Sequence, residues 1–379
     1  MTIILYFSVM IINLTFIILR RKLKLVFFIN AVVFSIIYFG NIRSGESDLA
    51  IYRILYEHPG KATLTDLGYA WFTKTLSSIG ISFNAFLLII FVMFIIAILI
   101  FSNQYQCNYS LFFFLYGLFY FFFSMEVLRF FIATTFLLIA CKFLIDRKVW
   151  LFIIFLILAI SFHITFLAFF LLLFANIETF SKRFYSLCVA MFIAMCLITI
   201  LNGRRVPFVT TIFSFFTGGL LGQKNVSFYN GSVTAQHSWM YSSLYYIFNF
   251  ILLYTAQNLI SSAERNSGTK YPELNRLYQF CFRSNCLLGI VMPFAMMSPT
   301  YFRIPFFVTL LIFILLAGIY GQCYESYYEH GAFYFTSNVT TRNSMKIILA
   351  VIFAWTAIWY YVNPNDASLI FALKQNMFY

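Results

Sequence analysis

Apolar runs as long as a bilayer is thick alternate with short polar breaks along nearly the whole chain, and that alternation sets the predicted elements. The first run, Thr2 to Leu19, is followed by Arg20, Arg21, Lys22 and Lys24. A cleaved signal peptide carries its charge ahead of the run and small residues behind it, so this run reads as a membrane helix with its N-terminus outside. Alternating from there, the pattern predicts about twelve helices. They fall near 3–19, 25–40, 84–102, 109–124, 127–145, 149–162, 164–177, 186–201, 239–258, 277–297, 304–320 and 346–361. The run from Trp150 to Ile177 is too long for one span and too short for two, and Ser161-Phe162-His163 interrupts it midway. A pair of short helices meeting below the outer surface fits that pattern. The polar remainder forms two large outer loops, 41–83 and 202–238, the second carrying Gly218-Gly219, Gly222 and Gly231. The expectation is one all-α, polytopic integral membrane domain over residues 1–379.

Composition strengthens this reading. The chain is 62% hydrophobic and only 10% charged, against about a quarter charged in soluble domains. That excludes a secreted disulfide scaffold, a coiled coil and a disordered tail. The formal charge of +13 invites a nucleic-acid reading in a soluble protein. Here the cations sit in small groups between apolar runs, as the positive-inside rule places them, so nucleic acid is not an expected partner and membrane lipids are. The bias is weak, however, because the expected outward face holds Arg43, Arg53, Arg129, Arg204, Arg205 and Arg303. Cations are costly on the translocated side, so an anionic ligand there is one explanation. The plainer one is that long loops translocate regardless of charge. Cys141, Cys188, Cys196, Cys281 and Cys286 lie inside apolar runs without metal-ligand company and read as packing residues. No GxxxxGK[ST] and no strand-linked GxGxxG occurs, so neither an ATP-driven cycle nor a cofactor is expected.

Four groups of residues could carry chemistry. Arg43-Ser44-Gly45-Glu46-Ser47-Asp48, followed by Tyr52, lies where the second helix leaves the membrane. In a helix Arg43 and Glu46 share a face, as do Asp48 and Tyr52. A carboxylate there can take a proton from a hydroxyl and an arginine can hold a phosphate, though a solvated interfacial turn has the same composition. Glu126 and Arg129 sit three apart at the outer start of the fifth predicted helix. A helix N-terminus with an arginine fork is a seat for phosphate oxygens, and the alternative is a pair that neutralises itself. His163 stands at the break in the long apolar run, either as a proton carrier or phosphate donor lining a cavity or as a hydrogen-bonded core residue. No second His or Cys lies at metal spacing, so no metal is expected. Arg303 lies in the rigid turn Ser298-Pro299-Thr300-Tyr301-Phe302-Arg303-Ile304-Pro305 ahead of another apolar helix. All these residues fall on the expected outer side.

The order of these elements resembles the EpsG family of polysaccharide polymerases, related to the Wzy O-antigen polymerases. The matching features are Arg43-Ser44-Gly45-Glu46-Ser47-Asp48 with Tyr52, Arg129 through Arg147-Lys148, Phe162-His163 and Arg303, spanning roughly residues 38 to 310. The resemblance implies a GT-C-like membrane glycosyltransferase. It would join oligosaccharide repeat units carried on undecaprenyl pyrophosphate into O-antigen or related surface polysaccharide at the periplasmic face of a bacterial inner membrane. On that reading Arg43, Arg129 and Arg303 hold the pyrophosphate, Asp48, Glu46 or His163 handles the acceptor proton, and a chain-length regulator is a possible partner protein. Two other classes fit a cationic multi-helix chain: a transporter or flippase of lipid-linked oligosaccharide, and a membrane O-acyltransferase acting on glycans. A flippase calls for charges at membrane depth in both halves and an internal repeat; an acyltransferase calls for its histidine on the cytoplasmic side.

Overall fold

Long stretches of Leu, Ile, Phe and Val without charge satisfy their backbone groups internally, and the chain folds into helices accordingly. A computed structural model describes residues 2–19, 24–40, 48–58, 66–175, 182–202, 235–291 and 303–323. The described residues contain helices and turns and no strand. In order they are α1 (Thr2–Ile18), α2 (Lys24–Phe39), α3 (Asp48–Glu57), α4 (Leu67–Ser78), α5 (Phe83–Ser102), α6 (Tyr109–Leu115) and α7 (Phe121–Glu126). There follow α8 (Leu128–Ile145), α9 (Val149–Phe162), a 3₁₀ segment (Ile164–Leu171), α10 (Leu172–Ala175), α11 (Lys182–Leu201), α12 (Ala235–Ser267), α13 (Pro272–Leu288) and α14 (Ile304–Cys323).

Three of these stretches are long and apolar enough to cross a membrane, Phe83–Tyr105, Leu128–Ile145 and Ile304–Cys323, and several shorter apolar helices accompany them. The outer faces are those of a lipid-solvated bundle. On α1, Ile4, Phe7, Ile11, Leu14 and Ile18 form an exposed stripe at helical spacing, while Tyr6, Val9, Met10, Asn13 and Ile17 turn inward. An exposed apolar face of this kind belongs in a bilayer. The inward Asn13 pairs amide to amide with Asn30 of α2 at 2.7 and 2.8 Å, which satisfies two polar groups that lipid could not.

Several helices differ from the sequence pattern in instructive ways. The stretch 41–83, expected as a loop, holds α3 and α4. Both are short, α3 carrying Asp, Arg and Glu and α4 carrying Lys, Thr and Ser, so hydropathy does not separate them from a polar loop. The expected helix 109–124 is helical without a gap from Tyr109 to Glu126 but contains a π-helical turn at Tyr116–Tyr120. There the Gly117 carbonyl accepts the Tyr6 hydroxyl at 3.0 Å, and a Cβ at Gly117 would lie 2.7 Å from Met10 Sδ. α12 spans 33 residues, roughly 50 Å at 1.5 Å per residue, well beyond the expected 239–258. α13 starts earlier than expected because Pro272 at its first turn opens it directly after a short turn with Gly268 at φ 67°. The expected helix 346–361 and most of the expected loop 202–238 lie outside the described residues.

α14 is the central pillar, buried on every side from Ile304 through Gly321. A helix that is apolar all round is a core helix. Its far end is pinned by the turn at 105–108 and by the end of α1. Asn108 N–H donates to Ala317 O at 2.9 Å, Gln322 Nε2 donates to Tyr105 O at 2.9 Å, and the Tyr320 hydroxyl donates to Ile17 O. Gly321 allows that approach, since a Cβ there would stand 2.1 Å from the Gln106 carbonyl oxygen, a backbone atom that cannot swing aside. Gly321→Ala is therefore expected to lower stability by about 3 kcal/mol, read as a drop in the melting midpoint of the detergent-solubilised protein. An unchanged midpoint would contradict this packing.

Candidate functional site

One end of the bundle brings together charged side chains from distant parts of the chain. α7 ends at Glu126, Val127 leaves helical geometry at φ −110° and ψ 60°, and α8 begins at Leu128. Arg129 thus occupies the first turn of a new helix, where the N–H groups lack intrahelical partners. Its Nε donates to the Tyr52 hydroxyl at 3.1 Å, and its guanidinium carbon stands 5.5 Å from the centre of the Tyr52 ring. One terminal nitrogen forms an ion pair with Asp66 Oδ2 at 2.5 Å. Asp66 is the carboxylate that meets Arg129 among the described residues; the pairing with Glu126 suggested by their spacing falls on a side chain outside them.

Asp66 caps the start of α4 with extended backbone but does not use its carboxylate as a cap, turning it to Arg129 instead. It is 6% exposed. Gly68, two residues on, lets α4 lie against the end of α9: a Cβ at Gly68 would sit 2.3 Å from Ser161 Oγ. That contact brings α4 to the break that holds His163.

His163 is extended, at φ −157° and ψ 109°, between α9 and the 3₁₀ segment. The break expected at Ser161-Phe162-His163 is where the helix ends. His163 is buried, its Nδ1 lies 2.7 Å from Thr165 Oγ1, and its ring meets Phe130 edge-on at 5.9 Å. Both Arg129 and Arg303 act on it electrostatically.

Arg303 precedes α14 and completes the group. Its terminal nitrogen lies 3.8 Å from Asp48 Oδ2, beyond hydrogen-bond length, and its buried Nε finds no hydrogen-bond partner among the described residues. Burial pulls the Arg303 pKa below its ordinary value, Tyr52 and Asp48 pull it back, and the like charge of Arg129 lowers it again. Two guanidiniums from distant parts of the chain therefore feel each other in one site. α3 bridges them: Asp48 and Tyr52, one turn apart on one face, reach Arg303 and Arg129 respectively. Its opposite face carries the exposed pair Arg53–Glu57.

Of the residues singled out from sequence, Asp48, Arg129, His163 and Arg303 come together, and Tyr52 joins them. Arg43 and Glu46 lie outside the described residues. Asp66 was not foreseen. Its available signal was the Thr65-Asp66 start signature ahead of Leu67-Gly68-Tyr69-Ala70-Trp71, read as loop because the helix behind it is short.

The arrangement can grip an anion. Two helix starts, each with an arginine in or beside its first turn, come together with an exposed carboxylate and a histidine. These features define a helical integral membrane protein with a cationic, carboxylate-bearing site at one end of its bundle. The EpsG family model matches residues 26–366, and the chain belongs to that family. Membership makes it a membrane protein of polysaccharide biosynthesis, in a family that includes Wzy-type polymerase-like proteins. No curated protein and no solved structure matches the chain.

Proposed function

We propose that the protein is a glycosyltransferase that polymerises oligosaccharide repeat units carried on undecaprenyl pyrophosphate, at the periplasmic face of a bacterial inner membrane. The fold on this reading is GT-C-like, with about twelve transmembrane helices and the site at their outer ends. The observation that carries the proposal is the meeting of Arg129 and Arg303 at two helix starts, with a donor on Arg303 that has no partner among the described residues and an exposed carboxylate on Asp48.

The chemistry asks little else of the protein. An acceptor sugar hydroxyl attacks the anomeric carbon of the donor glycan. The bond from that carbon to the pyrophosphate oxygen breaks and its electron pair leaves with undecaprenyl pyrophosphate. The hydroxyl proton passes to a carboxylate. Arg129 and Arg303 hold the pyrophosphate and take up the charge that grows on it, a contribution of about 3 kcal/mol for each well-placed donor. Asp48 is assigned the base, since Asp66 is closed off by Arg129. His163 serves as proton partner or phosphate donor. Arg43 is assigned as a third cation and Glu46 as the alternative base, both on the approach to α3. The leaving group is already activated, so no ATP is consumed. A chain-length regulator is the proposed protein partner.

The test is a deletion strain complemented with the wild-type chain or with Arg303→Ala. The variant is expected to be present in the membrane yet to leave surface glycan as single repeat units on the lipid carrier core, an elongation loss of roughly 100-fold. A normal glycan ladder from the variant would defeat the clamp.

A further inference from the structure

The two arginines are held in different ways. Arg129 is fixed by its side chain, through Tyr52 and Asp66. Among the described residues, Arg303 has only the 3.8 Å approach to Asp48, and its Nε finds no hydrogen-bond partner. Its position must come from the backbone that carries it, and the first turn of a helix frays unless something ties it. Here two things do. Phe306 stacks on Phe123 at 4.3 Å and packs on Tyr245 at 4.3 Å. Beneath it, the carbonyl of Pro305, two residues past Arg303, accepts Asn249 Nδ2 from α12 at 3.2 Å.

Asn249 is fully buried and fully used. Its second amide hydrogen goes to Asn285 Oδ1 of α13 at 3.2 Å, and its Oδ1 accepts the Thr309 hydroxyl at 2.8 Å. The Thr309 oxygen is also 2.9 Å from Pro305 O. Its single proton serves Asn249 while the Asn249 amide covers Pro305. Asn249, Asn285 and Thr309 are all essentially unexposed. An amide at this depth is costly unless paired, and generic helix-to-helix adhesion could use any level of α14. This network instead grips the one turn that carries the under-held arginine.

We infer that Asn249 and Thr309 are positioning residues: through the Pro305 carbonyl they fix the start of α14 and so the place of the Arg303 guanidinium. The inference rests on the clamp reading of Arg303 proposed above. The measurement is binding of undecaprenyl pyrophosphate to the purified protein in lipid nanodiscs, with the melting midpoint recorded for every variant. Thr309→Val keeps the shape and removes the hydroxyl, leaving Asn249 Oδ1 unpaired. It is expected to weaken binding about tenfold, while Thr309→Ser stays within about twofold of wild type because it restores the donor. The deciding variant is Thr309→Val in an Arg303→Ala background. A residue that acts through Arg303 has nothing left to position there, so the added change is expected to be under about twofold. The same tenfold loss in that background overturns the inference, as does wild-type binding by Thr309→Val. Should Thr309→Val weaken binding while Arg303→Ala alone does not, both the positioning role and the clamp fall. If Arg303→Ala weakens binding and Thr309→Val does not, only the positioning role falls.

Discussion

Arg129→Lys is expected to stop chain elongation, by about a thousandfold, while the protein remains folded and membrane-inserted. The substitution keeps the charge and discards the fork. Arg129 uses Nε on Tyr52 and one terminal nitrogen on Asp66, with its plane near the Tyr52 ring. That leaves its remaining donors for an incoming phosphate. A lysine ammonium is a single point on a flexible stem and cannot span Tyr52, Asp66 and a ligand together. Lysine still neutralises Asp66, so the buried carboxylate does not drive unfolding. Alanine would be a poorer choice, because an uncompensated Asp66 costs about 3 kcal/mol or more and mixes folding with chemistry. The checks are the glycan ladder formed from lipid-linked repeat units in vitro and the melting midpoint of the same preparation. Wild-type chain lengths from Arg129→Lys would show that charge alone suffices, and the bidentate clamp would be wrong.

How much of this site could be read beforehand follows from the physics of each part. The long helices were legible because apolar runs of bilayer length have few other fates. The break at His163 was legible because a histidine and a serine interrupt an otherwise unbroken run, and the helix ends there. Arg129 and Arg303 were legible as isolated cations beside apolar helices, which is an expensive place for a charge. The partner of Arg129 was not. Spacing points to Glu126, three residues away, whereas Asp66 is brought to Arg129 by tertiary packing of α4 through Gly68, and no local pattern encodes a contact between residues so far apart. α3 and α4 were missed for a related reason. Short polar helices over a membrane site are stabilised by what they cover, here Tyr56 stacked on Phe86 at 4.8 Å and Tyr52 on Arg129, rather than by their own hydropathy. The Asn249 network lies in runs that hydropathy marks as simply greasy, since one Asn or Thr barely changes a window average.

The two carboxylates of the site should separate cleanly when each is made an amide. Asp48 is 53% exposed on its side chain and stands 3.8 Å from Arg303. A pair that loose, with its carboxylate half in solvent, contributes about 1 kcal/mol at most, so Asp48→Asn is expected to leave the melting midpoint nearly unchanged. If Asp48 takes the acceptor proton, the same variant loses elongation by about a thousandfold. Asp66 behaves in the opposite way. It is 6% exposed and paired to a guanidinium that is itself largely covered. Asp66→Asn strands the Arg129 charge, at a cost of about 3 kcal/mol, and the midpoint falls with activity. The slope between the two readouts is therefore the discriminating quantity: Asp48→Asn moves rate without stability, and Asp66→Asn moves both. Should Asp66→Asn lose elongation at full stability while Asp48→Asn keeps its ladder, the base is Asp66, and Arg129 serves to hold that base rather than the pyrophosphate.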